Sequence, residues 1–137
     1  MKNHRIFIFK IFNFVLLTIS VLACQKTPIN GNLDGEWEVM EVSPAPVTGN
    51  SSTRVFYSFS HHVCQLSFFG APFTNGNLVY TGDSMTLDFP FAQSPEDNLI
   101  LQQYGIFSNP VSFDVYFESK TRMILTNDVS TVVLRKF

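Results

Sequence analysis

Apolar and polar positions alternate along most of the chain from residue 33 to the C-terminus. In residues 111–118, Val111, Phe113, Val115 and Phe117 occupy every second position. A two-residue period is typical of a strand that turns one face to the core and the other to solvent in an antiparallel sheet. The same pattern predicts eight strands, at residues 36–42, 53–60, 62–69, 77–81, 84–91, 111–118, 122–127 and 131–137.

The links between several of these segments are short enough for tight turns. Residues 81–84, 119–121 and 127–130 separate neighbouring strands by the few residues that hairpins use. Strands that follow one another in this way close into a sheet without crossovers. The pattern therefore predicts an all-β fold, a meander of about eight antiparallel strands that closes into an up-and-down barrel or a sandwich.

Residues 94–105 break the alternation. Ser94 suits a helix N-cap, Pro95 suits the first helical position and Gly105 suits the position just after a helix. These signals predict one short helix at about residues 95–104, whose Leu99, Ile100 and Tyr104 could lie against a barrel end. An irregular strand is the alternative, because the apolar residues 99–101 are also typical of a strand.

The first 23 residues have a different pattern. Three basic residues and no acid lie in residues 1–10, and an apolar run follows from Ile11 to Ala23. A membrane-spanning helix needs roughly 20 apolar residues, which this run does not reach. A basic start, a short apolar core and a small residue before the cut are typical of a secretory signal peptide. A buried or anchoring N-terminal helix is the alternative.

The end of that run, Val21-Leu22-Ala23-Cys24, resembles the lipobox of bacterial lipoproteins. The resemblance implies that residues 1–23 are a lipoprotein signal peptide and that Cys24 becomes the mature N-terminus. The cysteine would carry a diacylglycerol on its sulfur and usually an acyl chain such as palmitate on its amine. Each buried methylene adds roughly 0.8 kcal/mol of membrane affinity, so several chains make a firm anchor. We therefore expect an exported protein that is anchored in the bacterial cell envelope at the outer membrane. The sequence does not decide between the periplasmic and the surface face of that membrane.

Residues 24–32 are polar and contain Pro28 and Gly31, which predicts a lipidated N-terminus followed by a tether. Residues 33–137 then form the barrel domain. Removal of the signal peptide takes three of the nine basic residues and none of the eleven acids, so the remaining chain is acidic. That charge argues against a nucleic acid partner, because phosphate neutralisation dominates such binding.

The start of the barrel domain carries a second resemblance. Gly35-Glu36-Trp37 begins the first strand, and "YSFS", "LVYTGDSMTLDF" and a closing "TVVLRKF" follow it. Together these segments resemble the small lipocalin-like domains of bacterial lipoproteins over about residues 33–137. The resemblance implies that Trp37 closes one end of the barrel and that a basic residue of the last strand, Arg135, packs over its indole ring.

A lipocalin-like barrel implies binding of a small apolar ligand. The alternation predicts which large side chains point inward and would line such a site: Trp37, Tyr57, Phe59, Phe68, Phe89, Phe113 and Phe117. An eight-stranded barrel has just enough interior for its own side chains or for one small ligand, so these rings could also fill it. The protein would then be an accessory or interaction protein of the envelope that acts through loops at 43–52 and 70–77, with Phe73 as an exposed anchor. The sequence does not identify its protein partner.

Few residues suggest chemistry. His62 and Cys64 share one face of a predicted strand, but a zinc site needs three or four ligands and would require Asp or Glu to complete it. The simpler interpretation is a turn at His61 and His62 and a core thiol at Cys64, which has no disulfide partner in the chain if Cys24 is acylated. No nucleophile has an evident base and orienting group, so we expect no catalytic residues, no metal and no cofactor.

Overall fold

A computed structural model describes residues 28–47, 53–68 and 71–137. Its centre is a closed barrel of eight antiparallel strands, in which each strand pairs with the next and the last pairs with the first. The predicted all-β up-and-down barrel is confirmed. The strands are β1 (Gly35–Ser43), β2 (Val55–Ser60), β3 (Val63–Phe68), β4 (Ala71–Tyr80), β5 (Ser84–Asp88), β6 (Val111–Ser119), β7 (Arg122–Thr126) and β8 (Thr131–Lys136).

The barrel has two ends that differ in how the chain crosses them. At one end, which we call the closed end, β1 begins, β8 finishes, and short turns join β2 to β3, β4 to β5 and β6 to β7. At the other end, which we call the helix-bearing end, lie the remaining connections. The longest of these is the β5–β6 connection, residues 89–110, which carries the only helix longer than one turn in the described residues.

The predicted helix is confirmed, and the alternative of an irregular strand is wrong. Helix α1 (Pro95–Leu101) continues into a 3₁₀ turn at Gln102–Tyr104. Ser94 Oγ accepts from the Asp97 N–H at 3.0 Å, and the Asp97 carboxylate accepts from the Ser94 N–H at 3.2 Å, which satisfies two N–H groups at the helix start. Gly105 ends the segment at φ 78°, where a Cβ would lie 2.2 Å from a Val132 methyl group.

Two predicted boundaries are wrong at the helix-bearing end. The predicted loop at 70–77 is mostly strand, because β4 begins at Ala71 and pairs along β3. Asparagine and glycine are poor strand formers, so pairing overrides local preference there. A Cβ on Gly76 would lie 2.5 Å from the Phe89 ring, which explains the glycine in that strand. The fifth strand stops at Asp88 rather than residue 91, and Phe91 is 84% exposed.

The predicted signal peptide, Cys24 and the first residues of the predicted tether lie outside the described residues. The described chain begins with Pro28 and forms a 3₁₀ turn at Gly31–Leu33, in which Leu33 is completely buried. None of the helices in the three described ranges has the length and apolar character needed to cross a membrane.

Candidate functional site

The seven side chains predicted to line a ligand site do come together inside the barrel. Five of them are at most 2% exposed: Trp37, Tyr57, Phe59, Phe89 and Phe113. The other two, Phe68 and Phe117, are half-buried and pack against the same core. Alternation along the strands therefore located the interior residues correctly.

These rings contact one another. The ring centroids of Tyr57 and Phe59 are 5.6 Å apart, and those of Trp37 and Phe117 are 6.0 Å apart. Separations of about 4.5–7 Å are those of favourable aromatic pairs. These four rings are thus mutual packing partners inside the barrel.

Tyr104, which was not among the predicted lining residues, closes the helix-bearing end. It is completely buried, and its hydroxyl donates to the Ser67 carbonyl at 2.9 Å. The Tyr57 hydroxyl donates to the Tyr104 carbonyl at 2.7 Å. Burial raises the pKa of both tyrosines above the usual value of 10, so both hydroxyls stay protonated donors at neutral pH. The helix was predicted with Tyr104 against a barrel end, but nothing local showed that the Tyr104 side chain enters the interior.

An aromatic cluster surrounds Tyr104 where the interior approaches the helix-bearing end. The ring of Phe68 lies 5.8 Å from those of both Phe73 and Tyr104, and Phe73 stacks on Tyr104 at 6.4 Å. Phe73 is half-buried in a strand, so its prediction as an exposed loop anchor is wrong. Nearby in sequence, the buried oxygens Thr74 Oγ1 and Gln102 Oε1 have no hydrogen-bond partner among the described residues.

The closed end is built around Trp37. Its indole Nε1 donates to the Leu33 carbonyl at 2.8 Å. Lys136 Nζ lies 5.1 Å from the indole centroid and donates to the Asn32 carbonyl at 2.8 Å. The assignment of Arg135 to this place is wrong by one residue. Lys136 is directly opposite Trp37 in the β1–β8 register, and opposed residues share a face, whereas Arg135 points to the outer wall.

On that outer wall Glu38 binds two arginines. Its carboxylate accepts from Arg54 and, at 2.8 Å, from Arg135, and the residue is only 6% exposed. The hydrogen bond from Arg54, followed by that from Arg135, holds the pKa of Glu38 at about 2 against burial, which opposes the shift. The Arg54 guanidinium also lies over the Phe56 and Phe137 rings, at 5.3 and 5.4 Å. A neutralised carboxylate of this kind joins β1, β2 and β8 and is unsuited to proton transfer.

The candidate metal residues are separated. His61 and His62 form the exposed β2–β3 turn, as predicted, whereas Cys64 is completely buried in the core. Burial raises the pKa of the Cys64 thiol well above 9, which keeps it protonated and unreactive. Within the described ranges, no group of three or more His, Cys, Asp or Glu side chains is placed to hold a metal ion.

One serine–histidine contact is present in the same turn. Ser60 Oγ lies 3.0 Å from His61 Nδ1, but both residues are exposed. An activated serine needs a base that a third group orients. No carboxylate of a described residue hydrogen-bonds this imidazole, so the pair is a turn contact.

The outer surface carries two clefts lined by described residues. The larger, about 310 Å³, lies at the helix-bearing end and is lined by Ala92, Gln93, Asn98, Phe107, Ser108 and Asn109. Asn109 donates to the Phe89 and Ala92 carbonyls at 2.9 and 3.0 Å, which ties the two halves of the β5–β6 connection together. The smaller, about 220 Å³, borders β5, β6 and the β7–β8 turn and includes only Phe113 of the predicted lining set. No sequence motif marked either cleft.

The architecture defines a class of protein: a closed eight-stranded up-and-down barrel with a tryptophan at one end and a short helix across the other. A family model described as a lipocalin-like domain matches residues 15–137, and the chain belongs to this family. Members of such families are generally binding proteins rather than enzymes. No match was found among the curated proteins.

Two solved structures share the fold. A lipocalin-like protein from Bacteroides uniformis is 21% identical, with a TM-score of 0.57, over 78% of this chain and 100% of that one. An uncharacterized protein from Bacteroides eggerthii is 16% identical, with a TM-score of 0.54, over 77% of this chain and 99% of that one. Identities at this level support the architecture alone.

Proposed function

We propose that this protein is a lipid-anchored lipoprotein of the bacterial cell envelope that interacts with a partner through the helix-bearing end of a filled lipocalin-like barrel. The lipobox resemblance at Val21-Leu22-Ala23-Cys24 supports the anchor on Cys24. The outer membrane remains the proposed location. Catalysis forms no part of the proposal, because the described residues offer no oriented nucleophile.

The single observation that carries this function is the position of Tyr104 in the mouth of the barrel. Two hydrogen bonds hold Tyr104 in the mouth of the barrel: its hydroxyl donates to the Ser67 carbonyl, and its backbone carbonyl accepts from the Tyr57 hydroxyl. A ligand bound inside would have to displace this side chain and leave buried polar groups without partners, at a cost of about 1–3 kcal/mol for each. Packing therefore favours a scaffold over a carrier.

The helix-bearing end also has the features of an interaction surface. Phe91 is 84% exposed and Val129 is 60% exposed on two connections at this end. The β5–β6 connection is held by its capping box and by Asn109, so the surface is formed before a partner arrives. Preformed surfaces lose less conformational entropy on binding. Exposed aromatic side chains supply the anchors that interfaces commonly use.

Fluorescence can test the filled interior directly. Trp37 is the only tryptophan and lies in the core, so energy transfer to cis-parinaric acid reports an apolar probe inside the barrel. We expect no saturable transfer at one probe per protein. Saturable one-to-one binding with loss of Trp37 emission would overturn the scaffold.

Crosslinking in cells can test the interaction surface. A photo-crosslinking residue at Phe91 should give discrete crosslinked products. The same residue at Tyr116, which is 63% exposed on the outer wall of β6, is the matched control and should give fewer. Equal products from both positions would contradict a specific role for the helix-bearing end.

A second candidate function has its own observation. The half-buried Phe68 and Phe73 beside Tyr104, with the unpartnered Thr74 Oγ1 and Gln102 Oε1, suit a small apolar ligand that carries a polar group. Such a ligand would sit at the mouth instead of deep in the barrel. Native mass spectrometry of protein purified gently from membranes should then show a co-purifying small molecule, which the scaffold proposal does not expect.

A further inference from the structure

We propose that the closed end of the barrel rests on the membrane surface and that the helix-bearing end points away from it. This orientation rests on the lipid anchor proposed above and adds a surface, the closed end, whose partner is the lipid headgroup layer. The observations that carry it are the place where the N-terminal segment joins the barrel and the length of chain that remains before Cys24.

The N-terminal segment is fixed to the closed end. Asn30 Nδ2 donates two hydrogen bonds of 2.7 Å. One goes to the His61 carbonyl in the β2–β3 turn, and the other goes to an Asp34 carboxylate oxygen. Lys136 Nζ donates to the Asn32 carbonyl at 2.8 Å, and Leu33 is completely buried. From Asn30 onward the chain is therefore part of the barrel and not a free tether.

Little chain is left to separate this end from the membrane. Four residue steps join Cys24 to Pro28, and each step spans at most about 3.6 Å, so the reach is at most about 14 Å. The headgroup region of one leaflet is itself roughly 5–8 Å thick, which takes up part of that reach. A nine-residue strand such as β1 is about 30 Å long. The short link therefore brings the closed end to the headgroups and leaves the helix-bearing end a barrel length away.

The chemistry of the closed end suits a headgroup layer. Its turns present exposed polar side chains, among them His62, Asp83 and Lys120. Ile29, beside the exit of the chain, is 62% exposed, and Phe137, just after β8, is 70% exposed. A polar surface with isolated apolar side chains can lie against lipid headgroups without inserting into the hydrocarbon, so nothing at this end opposes the contact.

Quenching by lipid can test the orientation on the native lipoprotein. Asp83→Cys in the β4–β5 turn and Glu96→Cys in α1 are a matched pair, since both are exposed acidic residues and they lie at opposite ends of the barrel. Each variant would be labelled with a fluorophore and reconstituted in phosphatidylcholine vesicles that contain headgroup spin-labelled lipid. Unsubstituted protein is the labelling control, because Cys64 is buried and Cys24 is proposed to be acylated.

We expect quenching at residue 83 to be several-fold stronger than at residue 96. Insertion of twelve Gly and Ser residues between Lys26 and Thr27 should reduce that ratio towards one, because the longer link frees the closed end from the surface. Equal or stronger quenching at residue 96 without the insertion would overturn the orientation.

A separate measurement distinguishes failure of the anchor from failure of the orientation. Cys24→Ala should abolish incorporation of labelled palmitate and release the protein from alkali-washed membranes. If Cys24→Ala stays attached and labelled, the lipoprotein proposal fails and the orientation falls with it. If attachment depends on Cys24 but the lipid quenches both labelled positions equally, the orientation alone fails.

Discussion

The two ends of the barrel are closed by different means. At the closed end Trp37 and Lys136 lie opposite each other on adjacent strands, so the pairing of β1 with β8 itself brings them together. At the helix-bearing end Tyr104 comes from a connection and reaches the interior only because that connection folds back into the mouth. Strand pairing secures one end, and an inserted segment secures the other.

This difference separates the part that maintains the fold from the part that is free to carry function. A change in the Trp37 contacts alters the pairing on which barrel closure depends. The β5–β6 connection can change its exposed side chains without altering the strands, as is usual for loops on a rigid scaffold. The anchor proposed at the closed end and the interaction surface proposed at the other follow the same division.

The largest expected effect is at the closed end. Trp37→Ala should lower the free energy of unfolding by about 3–5 kcal/mol, because it leaves a cavity and removes the contacts with Leu33, Phe117 and Lys136. Urea unfolding followed by circular dichroism measures this loss. Phe91→Ala at the other end is the control and should stay within about 0.5 kcal/mol of the unsubstituted protein. A loss below about 1 kcal/mol for Trp37→Ala would contradict the comparison.

Tyr104→Ala should lower the free energy of unfolding by about 3 kcal/mol. Unlike Trp37→Ala, it should also open the mouth of the barrel to ligands. We expect saturable binding of cis-parinaric acid to this variant, measured through Trp37 emission. Tyr104→Phe keeps the ring and loses only the hydroxyl bond to Ser67, so it should cost about 1 kcal/mol and bind no probe. A folded Tyr104→Ala variant without probe binding would show that other side chains close this end.

Glu38 makes the stability of the protein depend on pH. Because the folded-state pKa of about 2 lies below the ordinary 4.5, the stabilisation is present above about pH 4.5 and is lost as the pH falls towards 2. Arg54 and Arg135 are half exposed, so screening reduces the contribution to about 1–2 kcal/mol. Glu38→Gln should be destabilised by that amount at pH 7, with the difference from the unsubstituted protein shrinking below pH 4.5 in urea unfolding. Glu118→Gln, in the exposed pair with Arg122, should change stability little at either pH.

The smallest effect distinguishes two neighbouring basic residues. Lys136→Met keeps the aliphatic stem but removes the charge over the indole. It should lower the free energy of unfolding by about 1 kcal/mol and shift the wavelength of Trp37 emission. Arg135→Met should leave the emission unchanged, since Arg135 contacts Glu38 instead. A shift for Arg135→Met alone would restore the original assignment.

Much of the fold was predictable because local signals agreed with the tertiary structure. Alternation located all eight strands, and the Ser94 and Gly105 signals located α1. The same alternation distinguishes the two basic residues of β8: Val132 and Leu134 point inward, so Lys136, and not Arg135, shares their face. The strand at 71–76 escaped prediction because its asparagine and glycine residues are strand-like only when β3 pairs with them.

By itself, the sequence determined that this chain is a barrel and which side chains face inward, because a two-residue period allows only one face to be buried. Only the tertiary structure decided which side chain closes the helix-bearing end over them. That outcome depends on Tyr104, which lies far along the chain from Ser67 and Tyr57 and meets them only when the barrel is closed. The alternation of apolar residues determines which side chains are inside, whereas packing between distant residues determines how much space remains for a ligand.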